Sequence, residues 1–114
     1  MSITQYAPVS FNLRGQDIKT DSAELMVDRT KGVYLVEFDP DETWAAYDGK
    51  MKAVFRPAFG QKVETDVVEF QAEIPQDAIR APWVQIGVYA QDGNVVYPTV
   101  YSARIAVNDG TYII

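Results

Sequence analysis

Apolar and polar residues alternate with a period of two in segment after segment of this chain. That is the signature of strands with one buried face. Val9, Phe11 and Leu13 alternate with Ser10, Asn12 and Arg14, and Leu25 and Val27 with Glu24 and Asp28. Val33 to Phe38 is a nearly continuous apolar run broken by Glu37, the pattern of a central strand. Met51, Ala53 and Phe55 alternate with Lys50, Lys52 and Arg56, although Val54 leaves one polar slot apolar. The clearest alternation sets Val68, Phe70, Ala72 and Ile74 against Glu69, Gln71 and Glu73. Val84, Ile86, Val88 and Ala90 oppose Gln85, Tyr89 and Gln91, and Tyr101, Ala103, Ile105 and Val107 oppose Ser102, Arg104 and Ala106. Slipping any of these by one residue turns its apolar set to water, so register is specified.

Reversal chemistry sits between the alternating segments, at Asp28–Gly32, Tyr47-Asp48-Gly49, Asp92-Gly93-Asn94 and Asn108-Asp109-Gly110. The Asp92-Gly93 pair predicts a tight hairpin in which both central residues take positive φ. Helix is confined to one turn over residues 75–81, stopped by Pro82, and a second short turn over 41–47. About seven strands with a reversal every 8–15 residues or so predict an all-β, immunoglobulin-like antiparallel β-sandwich. At 114 residues, with no internal repeat or linker, residues 1–114 read as a single domain.

Composition excludes several function classes. Histidine and cysteine are absent. Ser-His-Asp and Cys-His catalysis, thiol chemistry and His- or Cys-ligated zinc are therefore impossible. The seven glycines lie singly, so no glycine-rich phosphate loop exists. Sixteen acidic residues against ten basic ones give a net charge of −6, and the basic residues form no stripe that nucleic acid requires. No apolar run approaches the roughly 20 residues of a membrane-spanning helix. The first residues lack a signal-peptide pattern, so synthesis in the cytoplasm is the expectation. No enzyme, cofactor or metal is expected, and no nucleic acid or membrane partner.

Four groups remain as candidates. Asp39, Asp41 and Glu42 are the densest acidic cluster; they read either as a calcium site or as a solvated turn in which Asp41 caps the helix before Trp44. Glu69 and Glu73, on the polar side of one strand, are the carboxylates a glycosidase would need. Among the aromatic residues, Trp44 and Tyr89 are candidates for a ligand platform that stacks on a sugar; Trp44 also reads, with Trp83, as a residue that seals an end of the core. The apolar tail Tyr112-Ile113-Ile114, with Tyr6 and Tyr97, is a candidate interface. Three readings of the tail stay open: a chain cut from a longer protein, completion of the domain's own sheet, or addition to a neighbour.

An aromatic pair ahead of a Lys-x-x-Ala-Val-Phe strand, then Ile-Pro, a Gly-Val-Tyr strand, Pro-Thr and a closing Gly-Thr form a recognisable series. Here these are Trp44, Tyr47, Lys50, Ala53-Val54-Phe55, Ile74-Pro75, Ile79, Gly87-Val88-Tyr89, Pro98-Thr99 and Gly110-Thr111. In these residues the chain resembles a small β-sandwich module of phage tails, baseplates and head fibres. More loosely, it is similar to the amino-terminal domain of baseplate upper proteins of lactococcal phages. The resemblance implies a non-enzymatic virion structural protein, made in the bacterial host cytoplasm. Its role would be capsid decoration, head fibre or tail/baseplate adaptor, with other virion proteins as partners and homo-oligomerisation. The alternative is a carbohydrate-binding module for adhesion to the host surface, with a glycan as ligand.

Overall fold

The computed structural model describes residues 9–20, 26–27 and 34–108, with residues 26–27 described in backbone only. In chain order the elements are β1 (Val9–Arg14), β2 (Asp17–Lys19), β3 (Met26–Val27), β4 (Tyr34–Pro40), α1 (Glu42–Ala45), β5 (Met51–Pro57), β6 (Val63–Asp66) and β7 (Gln71–Ile74). A 3₁₀ turn (Gln76–Ala78), β8 (Trp83–Asp92), β9 (Val95–Pro98) and β10 (Ile105–Asn108) follow. One sheet has the order β2-β1-β4-β7; the other runs β3-β10-β8-β5-β6, with β9 also paired to β8. The fold is an all-β sandwich.

The alternation places the core. Val9, Phe11 and Leu13 of β1 and Tyr34, Val36 and Phe38 of β4 point inward from one sheet. Met51, Ala53 and Phe55 of β5, with Val84, Ile86, Val88 and Ala90 of β8, meet them from the other. Each large side chain buried this way contributes about 1.5–3 kcal/mol, and a one-residue slip forfeits a whole set.

Several expectations need correction. There are ten strands among the described residues, not about seven, because β2, β6 and β9, of three or four residues each, lie outside the alternating segments. The pairings are not all antiparallel: β1 runs parallel to β4 (Val9 opposite Val36) and β10 parallel to β3. β4 is central in its sheet, between β1 and β7, yet buries one face only, with Leu35 and Glu37 half-exposed. The hairpin after β8 forms, but its central pair is Gly93-Asn94, and only the glycine takes positive φ (60°). Trp83 is half-buried, not core, with the Arg104 guanidinium 4.4 Å over its ring.

The clearest alternation, Val68 to Ile74, is not one strand. Val68 and Gln71 exchange both backbone hydrogen bonds (2.8 and 3.0 Å) around Glu69 and Phe70, whose φ values are 53° and 60°. Two positive φ angles make this a tight reversal of the kind that favours Asn-Gly. The sequence carries neither residue, so nothing local announces it. Tertiary contacts hold it instead: the Phe70 ring packs on the core and its carbonyl accepts the Phe38 N–H at 2.8 Å. The left-handed region costs a residue with a side chain roughly 1–2 kcal/mol. Glu69→Asn is therefore expected to stabilise the protein by about 0.5–1 kcal/mol, read as a higher urea midpoint at unchanged slope. A lower midpoint would refute the turn assignment.

Candidate functional site

Asp41, the N-cap of α1, ties that helix to the β1–β2 turn. Its carboxylate accepts the N–H groups of Gly15 (2.6 Å) and Trp44 (2.9 Å), which hold its pKa below the usual carboxylate value. Asp39 instead pairs with Arg14 at 2.9 Å. The capping reading of Asp41 is thus observed. Among the described residues, no three potential metal ligands converge, at Asp39, Asp41 and Glu42 or elsewhere.

The cap sets Trp44 into the interior. Its side chain is fully buried, and the indole Nε1–H donates to the Gly15 carbonyl at 2.7 Å. Tyr97 lies 4.8 Å from the Trp44 ring and stacks on Tyr47 at 5.8 Å. This corrects one assignment: Trp44 has no surface to offer a ligand. Tyr97 is half-buried on β9, with its ring packed over Trp44. Tyr6, Tyr112, Ile113 and Ile114, the other interface candidates, lie outside the described residues. Glu69 and Glu73 do not share a strand face, since Glu69 sits in the reversal and Glu73 in β7.

Tyr89 is on the surface, at the middle of the outer face of the larger sheet. Register places Asp66, Lys52, Tyr89 and Pro98 in one row across β6, β5, β8 and β9, and Glu64, Val54 and Gly87 in the next. The Tyr89 hydroxyl donates to Glu64 at 3.0 Å, although β6 lies two strands from β8. Two spacings of about 4.8 Å separate those strands. The ring must therefore lie down across β5 instead of standing in solvent. Partial burial, then the Glu64 carboxylate, raise the Tyr89 pKa. Beside it, Lys52 pairs with Asp66 at 3.1 Å, which raises the lysine pKa.

Concavities flank this ring on both sides. One is an open cleft of about 740 Å³ bordered by Lys50, Lys52, Asp66, Glu69, Tyr89 and Gln91. The other is a notch of about 230 Å³ between Tyr89 and Tyr101, with Val54, Gly87, Pro98 and Thr99 around it. The notch exists because Gly87 carries no side chain: a Cβ there would stand 3.4 Å from the Tyr101 ring.

Tyr101 is itself held. The Arg56 guanidinium lies 3.8 Å over its ring and donates to the Gln85 side-chain oxygen Oε1, while the Gln85 side-chain amide Nε2 donates to the Ser102 backbone carbonyl at 2.9 Å. Alternation assigns Tyr101 to the inner set, whereas the structure turns it outward and buries Ser102 instead. The outward parity of Tyr89 and a lone glycine inside strand β8 were the two sequence signals pointing here.

A separate exposed feature is apolar. Val95 (57%), Val96 (54%) and Val100 (59%) are all more than half exposed on and just after β9, which among the described strands pairs with β8 alone. No family model matches the chain, and no curated protein is significantly similar to it.

Proposed function

We propose that this chain is a non-enzymatic structural protein of a phage particle. It serves as a capsid decoration, head-fibre or tail/baseplate adaptor, is made in the bacterial cytoplasm, and acts by docking on other virion subunits and on copies of itself. The observation that carries the reading is the exposure of Val95, Val96 and Val100, each more than half exposed, on and just after a strand that pairs with β8 alone among the described strands. Another subunit covers these side chains and extends the sheet from β9 by backbone pairing. Covering each half-exposed valine yields about 1 kcal/mol, and the strand edge supplies direction and register. The net charge of −6 keeps such a chain dispersed before assembly. The resemblance to phage modules supplies the kind of particle.

Val96→Lys tests this, because the residue is exposed and its replacement spares the core. Light scattering is expected to show self-association of the parent chain that the variant weakens at least about tenfold, with the same thermal midpoint. The variant is also expected to be depleted from purified particles. A parent chain that is strictly monomeric, and whose deletion leaves particle composition unchanged, sinks the proposal.

A further inference from the structure

We infer that the outer face of the larger sheet is a binding site for a neutral saccharide, with the Tyr89 ring as its platform. This does not rest on the docking reading, which concerns the side chains of Val95, Val96 and Val100, none of which lines the notch or the cleft. Shape comes first. A ring laid across β5, pinned at its hydroxyl by Glu64, offers a flat apolar surface with little freedom left to lose. A sugar ring has the complementary form, an apolar face of C–H groups edged by hydroxyls, and stacks on an aromatic face in the same way.

Size comes next. The notch of about 230 Å³ lies below the roughly 300–1,000 Å³ of drug-sized sites, so it accommodates a single ring. The cleft of about 740 Å³ on the other side of Tyr89 has room for the rings that follow. The two meet at Tyr89, which makes the ligand a short oligosaccharide crossing the strands.

Charge selects the class. The cleft holds Lys50, Lys52, Asp66 and Glu69, but Lys52 is already paired with Asp66 at 3.1 Å and Lys50 with Asp92 at 3.2 Å. A phosphate or carboxylate ligand would have to break those pairs against a nearby acid, and a cation would meet the same lysines. A polyol donates to the carboxylates and accepts from the ammonium and Gln91 amide groups without separating any pair. The notch is equally preformed: Arg56 and Gln85 hold Tyr101, and the Thr99 hydroxyl accepts the Val88 N–H at 3.0 Å.

The test is an amide NMR titration of the full chain with neutral di- to tetrasaccharides of hexose and N-acetylhexosamine units. At least one is expected to bind with a dissociation constant on the order of 0.1–1 mM, shifting the amides of residues 52 and 87–91. Added salt is expected to leave that constant unchanged, because no ion pair is made or broken. Tyr89→Ala, on a half-exposed side chain, is expected to weaken binding about tenfold or more at an unchanged thermal midpoint. Val96→Lys is expected to bind as the parent does, which separates this site from the docking edge. The inference is overturned if no saccharide shifts these amides at millimolar concentration, if Tyr89→Ala binds as well as the parent, or if only charged sugars bind and salt abolishes the effect.

Discussion

Trp44→Ala is expected to lower the unfolding free energy by about 3–5 kcal/mol, the range for deleting a large buried aromatic side chain. The indole is fully buried and contacts the Tyr47 and Tyr97 rings, so its removal leaves a hole that they cannot close without losing their stacking. The same change leaves the Gly15 carbonyl without its 2.7 Å partner. Against a total stability of roughly 5–15 kcal/mol, such a loss brings the protein close to unfolding, and the thermal midpoint should fall by roughly 10–25 °C. Trp44→Phe separates the two contributions. It retains most of the packing but not the N–H, and should cost about 1–2 kcal/mol. Urea unfolding followed by circular dichroism measures both. A Trp44→Ala protein within about 1 kcal/mol of the parent would mean that the side chain stands at the surface, as a ligand platform requires.

The strands that could be read from the sequence are those whose side chains obey a local rule. β1, β5 and β8 each send one set of apolar residues into a shared interior, and a period of two is all that requires. The breaks were hidden for two different reasons. Glu69 and Phe70 turn the chain without turn-forming residues, since the Phe70 ring and carbonyl are held by contacts made far away in sequence. Pairing across β1 and β4 is likewise a long-range choice that leaves no mark on either segment alone.

The site was legible in part. Tyr89 sits on the polar parity of its strand, so its exposure follows from the same rule that buries Val88. Trp44 follows no alternating pattern, and its burial is decided by the Asp41 cap and the Gly15 carbonyl. Six of the sixteen residues that carry the resemblance to phage modules are large or small apolar side chains of the interior: Trp44, Ala53, Phe55, Ile74, Ile79 and Val88 are all buried. Such a pattern reports how a sandwich is packed. The surface site draws on both sets: Lys52, Glu64, Arg56, Gln85 and Tyr101 lie outside the pattern, whereas Lys50, Val54, Gly87, Tyr89, Pro98 and Thr99 belong to it.

Ser102→Ala is expected to cost about 1–3 kcal/mol, although it removes a single oxygen. Between β9 and β10 the chain runs along β8 without regular pairing, over residues 99–104. The carbonyls of Val88 and Ile86 still accept the backbone N–H groups of Thr99 (2.7 Å) and Ser102 (2.8 Å). The N–H groups of Val88 and Ile86 instead donate to hydroxyls, Thr99 Oγ1 and Ser102 Oγ, both at 3.0 Å. Two side-chain oxygens thus stand in for a strand's carbonyls, which lets Tyr101 turn outward between them while β8 keeps its bonds. Ser102 and Ile86 are both buried, so in the alanine variant water cannot replace the lost acceptor, and the Ala103 carbonyl loses its donor too. Thr99 is half-exposed, and Thr99→Val should cost less for that reason. Hydrogen exchange reads the difference directly: the Ile86 amide should lose at least about tenfold of its protection in Ser102→Ala, and the Val88 amide should change little. Equal protection of Ile86 in parent and variant would show that its N–H finds a partner other than the hydroxyl.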